Sequence, residues 1–228
     1  GLIAGLIAYA FWGMMPLYWR LLSAAGPVEI LAHRIVWSLG FILLILTIRG
    51  RIRTLASTLR GLSADHRTGF IILLATAFAS LNWLINIVGV NTGRVVELGI
   101  GMFLTPLASV AIGTAFFSER LSRAGLLAVL LAAAGVVIMI WNLGRIPWIA
   151  LGVSSTWAVY GALKKMVRID AWSSITAEHI MMSPFALAFL LWLGWHGEGQ
   201  FLAEPARPLD FFLAGTGMTE AQIARVAY

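Results

Sequence analysis

The chain has 228 residues, of which 60% are hydrophobic and only 11% charged, with a mean hydropathy of +0.90 and a net charge of +6. A soluble domain carries about a quarter of its residues charged, so lipid is the expected surroundings, and the basic balance reads as membrane orientation, with no nucleic-acid partner. Cysteine is absent, which excludes disulfides, thiolate chemistry and Cys-containing zinc sites.

A helix needs about 20 mostly apolar residues to cross the hydrocarbon core. The first such run is Gly1 to about Leu22. No basic segment precedes it and no small-residue cleavage site follows, so it reads as a spanning helix, with a few residues expected in front of it. It holds Trp12, Pro16 and Tyr18; an intramembrane proline is either a gating kink or a tolerated bend. The second run is about Pro27 to Ile48, with Glu29, His33 and Arg34 near its start. Glu29 reads as a marker of the outer interface. His33 and Arg34 lie about two turns in, where a cavity-facing role and an interfacial one both stay open.

A polar, basic stretch, Arg49 to Thr68, follows. The third run, Gly69 to Val90, carries Asn82 and Asn86 on one face, with Trp83 beside the first and Asn91 beyond. Intramembrane amides either bond across helices or line a wet path. Arg94 and Glu97 are expected to pair. The fourth run is about Leu98 to Phe117, with Thr105 and Pro106 inside it, and the fifth Ala124 to Trp141. Small residues (Gly99, Gly101, then Ala132 to Gly135) predict close helix approach. The sixth run, Pro147 to about Leu163, is short. The seventh, about Ser173 to Trp195, holds Glu178 and His179 toward one end. An eighth begins near Leu209 and fails, and the tail from Met218 cannot span.

Orientation follows the Lys/Arg content of short loops. With the N-terminus inside, ten basic residues fall in cytoplasmic segments (Arg49, Arg51, Arg53, Arg60, Arg67, Arg120, Arg123, Lys164, Lys165 and Arg168) and five outside. The expected location is the cell inner membrane, multi-pass, with a cytoplasmic N-terminus.

Sliding the chain on itself by 145 residues lays Trp12 on Trp157, Arg20 on Lys165, His33 on Glu178 and Ile35 on Ile180. Five helices separate the units, so the second enters the membrane in the opposite sense. Inverted repeats are a transporter architecture with the solute site where the halves meet. The expected fold is thus all-α, a polytopic transmembrane bundle of inverted five-helix repeats. Residues 1–145 form the first unit and 146–228 a partial second one with an aberrant tail.

No Walker sequence, Gly-rich phosphate turn or HExxH metal motif is present, so neither cofactor nor metal is expected and a gradient-driven carrier is the simpler reading. The substrate-binding candidates are Trp12, His33, Arg34, Asn82, Asn86 and Glu178, with no catalytic residues. The alternatives are an intramembrane enzyme using His33 or Glu178, for which no second catalytic group stands at helical reach, and an inactive truncated remnant. The partners expected are the lipid bilayer and a small solute, and a homodimer is compatible with the pattern.

The stretches Ile7-Ala8-Tyr9-Ala10-Phe11-Trp12-Gly13 through Arg20, Glu29-Ile30-Leu31-Ala32-His33-Arg34, Leu81-Asn82-Trp83-Leu84-Ile85, Val90-Asn91-Thr92-Gly93-Arg94 and Ser118-Glu119-Arg120-Leu121-Ser122 resemble the RarD family. That family lies in the EamA-like branch of the drug/metabolite transporter superfamily. The likeness covers about Gly1 to Trp195. It implies a ten-helix inner-membrane permease of two inverted five-helix units working by alternating access. It supplies no catalytic residues. Two departures from the pattern, the missing last three helices and the tail after about Gly215, lead us to expect a truncated or frameshifted fragment.

Overall fold

The structure is a computed structural model that describes residues 25–199 apart from 168 and 170, together with Leu6 and Ala10. Trp12, the rest of the first apolar run and the predicted eighth run lie outside the described residues. Seven helices are found among the described residues: α1 (Pro27–Ile48), α2 (Ile52–Ala64), α3 (His66–Asn91), α4 (Val95–Phe117), α5 (Arg123–Leu143), α6 (Trp148–Lys165) and α7 (Ala171–His196). No strand occurs among these residues, and the chain is a polytopic helical bundle. Five of the helices, α1, α3, α4, α5 and the Trp172–His196 part of α7, are long and apolar enough to cross a membrane.

Local chemistry sets the helix ends. Pro27 opens α1, where its fixed φ and missing N–H cost nothing. The Asp65 carboxylate caps α3 by accepting from the Arg67 and Thr68 amides at 3.1 and 3.3 Å. Ser122 caps α5 by accepting from the Gly125 amide at 3.0 Å. Gly144, at φ 67°, closes α5 in the left-handed conformation that glycine adopts without strain.

The burial pattern inverts that of a soluble bundle. Helix α5 is the most apolar of the candidate spans and the least buried, with Val136 its one buried residue. Large side chains stand bare, among them Phe116, Trp141, Leu191 and Trp195 at 73–90% exposure. Hydrocarbon is as good a solvent for them as the protein core. Helix α6 is the opposite case. It carries Ser154, Ser155, Thr156, Lys164 and Lys165 and falls short of the apolar content of a lone span. Yet it makes the two most extensive helix pairings, with α4 and α3. Neighbouring helices shield it from lipid, and its hydroxyls donate back to carbonyls one turn earlier (Ser155 and Thr156 to Leu151 and Gly152 at 2.6 Å).

The close approach of α4 and α6 depends on Gly101, where a Cβ would stand 3.1 Å from the Ala150 Cα. Of the predicted small contacts this one is realised, whereas Gly99 and Gly135 face open space. Helix α1 packs chiefly on α7, and α3 lies between the two pairs, touching α1, α6 and α7.

Alternating helix directions gather the connections at two ends. One end holds α2, the α4–α5 link and the α6–α7 link, tied together by the Lys165–Glu119 ion pair and by Arg49 lying 5.8 Å over the Trp172 ring. The opposite end is tied by Arg145, which pairs with the buried Glu97 at 2.9 Å. Glu97 was expected to pair with Arg94; instead its carboxylate turns into the bundle and also accepts from the Ile149 amide at 3.3 Å. A carboxylate at 1% exposure gains more from a cation and an amide donor that close a helix junction than from a solvated neighbour. The polar, basic stretch after α1 folds as the amphipathic helix α2.

Candidate functional site

A small cavity of about 70 Å³ opens between α1, α3 and α7. Leu31, Arg34 and Ile35 line it from α1, Thr76, Ala79, Ser80 and Trp83 from α3, and Glu178, His179 and Met182 from α7. The α3 contribution follows helical spacing of three and four residues, so one stripe of that helix faces the space. The volume suits a few waters; it is well below the hundreds of cubic ångströms that drug-sized ligands occupy.

Arg34 and Trp83 form its most distinctive wall. The Arg34 guanidinium lies 3.3 Å over the indole centroid, a cation–π stack that holds the charge against an apolar surface. Across the space is Glu178, itself 8% exposed. Its carboxylate is held from behind by α6 and its own helix. Lys164 donates to it at 2.5 Å, Tyr160 at 3.3 Å and Ser174 at 3.3 Å, and Lys164 also contacts Ser174. A buried carboxylate needs such a set of donors. This cluster lies on the α2 side of the cavity, because Lys164 and Ser174 lie at the α6–α7 link. His179 turns one ring nitrogen to the Ile175 carbonyl at 2.8 Å.

Of the residues singled out from sequence, Arg34 and Glu178 are thus brought together at one cavity. His33 is half-buried on α1 beside Arg34 and is not among the lining residues. Asn82 and Asn86 sit elsewhere. Asn82 is 4% exposed and donates to the Val153 carbonyl at 2.8 Å and the Thr156 hydroxyl at 2.9 Å, joining α3 to α6. Asn86 donates to the Asn82 carbonyl and side-chain oxygen at 2.8 and 3.1 Å. Trp12 lies outside the described residues. The sequence reading did not select Thr76, Ser80, Trp83, His179 or Met182 for the site. The signal that could have found the α3 members is the Thr76–Ala79–Ser80–Trp83 stripe, polar and aromatic on a face about a third of a turn from Asn82.

Residues 1–141 match the EamA-like transporter family. The chain is 40% identical over 224 residues to the RarD protein of Streptomyces exfoliatus, covering 97% of this chain and 69% of that one. It is 37% identical over 216 residues to the uncharacterized transporter YojE of Bacillus subtilis, covering 94% and 72%. It is 32% identical over 207 residues to the chloramphenicol-sensitive protein RarD of Pseudomonas aeruginosa, covering 91% and 69%. No solved structure matches.

Proposed function

The chain belongs to the EamA-like transporter family, and we propose that it moves a small polar solute across the cell inner membrane by alternating access, driven by a gradient. The observation that carries this reading is the cavity in which Arg34, stacked on Trp83, faces Glu178 across space between spanning helices. Intramembrane ionisable groups are costly and mark solute paths. A guanidinium, a carboxylate, hydroxyls and an indole face suit a solute with both a polar and an apolar part. On this reading the Lys164–Glu178–Tyr160–Ser174 cluster is the closure toward the α2 end. Parting α6 from α7 would open it. We take that end as cytoplasmic, because Arg49, Arg51, Arg53, Arg60, Arg67, Arg120, Arg123, Lys164 and Lys165 belong to it.

The inverted repeat is part of the same proposal. The 145-residue offset pairs α1 with α7 and Arg34 with His179. These two helices pack together and line the cavity, which is where halves related by inversion would place a solute site.

Flux into reconstituted vesicles tests the reading. Chloramphenicol, the compound in the Pseudomonas relative's name, is the first solute to try, followed by small polar metabolites. Gradient-dependent flux that Trp83→Ala and Arg34→Gln each abolish, with insertion intact, is the expected result. Wild-type flux in both variants would remove this cavity from the path.

A further inference from the structure

Helix α2 carries chemistry that the cavity does not use. Ile52, Leu55 and Leu59 recur at helical spacing. Leu55 is buried, and Leu59 packs with Val167 and Ile169 against Ile72 of α3 and Ala177 of α7. The other face shows Arg53 and Arg60 exposed, with Arg51 exposed at the cap and Arg49 and Arg67 flanking. Between Glu29 and Asp65 the sequence has no acidic residue, and Asp65 is engaged in capping α3.

Spanning helices α1 and α3 enter and leave α2 directly, so it lies at the membrane surface. An ordinary interfacial helix buries its apolar face among acyl chains. Here protein takes up Leu55 and Leu59 and leaves Ile52 exposed, so shallow insertion is at most part of what holds α2 in place. The exposed guanidiniums of Arg51, Arg53 and Arg60 carry forked donors that match phosphate oxygens. The partly exposed Trp172, under Arg49, supplies an indole of the kind found at headgroup level.

We propose that α2 is a docking ledge for anionic phospholipid, with Arg51, Arg53 and Arg60 gripping headgroup phosphates of the adjoining leaflet. The ledge bears on the cavity walls, since Ile72 is one turn before Thr76 and Ala177 directly precedes Glu178. Bound lipid braces both walls from below. The inference does not rest on the transport reading, and a binding measurement tests it without any solute.

The experiment is native mass spectrometry of the protein in detergent with equal phosphatidylglycerol and phosphatidylcholine. Near an anionic surface each arginine is worth about fivefold in partition at low salt. The wild type should therefore retain phosphatidylglycerol at least about tenfold over phosphatidylcholine, with the preference shrinking as salt rises. R51Q/R53Q/R60Q should lose the preference, while R120Q/R123Q, which removes charge from the same end, should keep it. R51K/R53K/R60K, which keeps the charge but loses the forked donors, should fall between the wild type and the glutamine variant, and serves if the latter does not fold. No preference in the wild type, or an equal loss in R120Q/R123Q, would overturn the ledge. Displacement of the lipid by inorganic phosphate at equal phosphate concentration would also overturn it, as the mark of a soluble-anion site.

Discussion

Replacing Asn82 with alanine separates a strut from a solute contact. Its amide makes two hydrogen bonds from α3 to α6, to the Val153 carbonyl and the Thr156 hydroxyl. Interhelical hydrogen bonds in membranes average about 0.6 kcal/mol and reach about 1.7. Both bonded oxygens stay engaged: Val153 O lies within α6, and the Thr156 hydroxyl gives its one proton to Gly152 O at 2.6 Å. Truncation therefore leaves no orphaned acceptor, and Asn82→Ala should cost about 1–3 kcal/mol. The assay is reversible unfolding in mixed micelles, run as a double-mutant cycle with Thr156→Val. The expected coupling is about 0.6 kcal/mol and no more than about 1.7. Flux should fall only as far as the folded fraction falls. Unchanged stability with lost flux would refute the strut and put Asn82 on the solute path.

Three further outcomes follow from the packing. Glu178→Gln or Lys164→Met alone strands half of a largely buried ion pair, at about 2–4 kcal/mol, and the double substitution should recover at least half of that loss in the same unfolding assay. Gly101→Ala drives a Cβ onto the Ala150 backbone and should cost about 1–3 kcal/mol, while Gly99→Ala, facing open space, should be neutral or gain a few tenths by helix propensity; equal effects would contradict the close approach of α4 and α6. The Thr68 hydroxyl and amide, with the Arg67 amide, hold the Asp65 carboxyl below its ordinary value. Its contribution to the α3 cap is therefore present above the ordinary carboxylate pKa and lost as pH falls through the lowered one. Amide exchange at Arg67 and Thr68, corrected for intrinsic rates, should speed up below about pH 4 and be fast at every pH in Asp65→Ala.

The spans were legible because lipid imposes a length and an apolar content on each segment. The second run was read at about Pro27 to Ile48, where α1 lies, and α4 and α6 to within a few residues at their starts and ends. Helix α2 was missed because its signal is amphipathic rather than apolar. Arg34 and Glu178, both at the cavity, were singled out as charges within spans, Glu178 also as the counterpart of His33 in the 145-residue repeat. The remaining lining was hidden by rotation: Asn82 lies about a third of a turn from the Thr76–Trp83 stripe, and only the packing of α3 against α1, α6 and α7 decides which of the two faces the cavity. The Glu97–Arg145 pair was hidden by distance in sequence, since a nearer cation, Arg94, was at hand.

The central claim is that the space between α1, α3 and α7 is reached in turn from both sides of the membrane. The chain has no cysteine, so Ser80→Cys places one thiol in the cavity wall, to be labelled by a membrane-impermeant thiol reagent added to either face of oriented vesicles. The account predicts labelling from both faces, with Lys164→Met raising the rate from the basic side by loosening the cluster that closes it. Labelling from one face alone, or from neither, would contradict alternating access at this cavity.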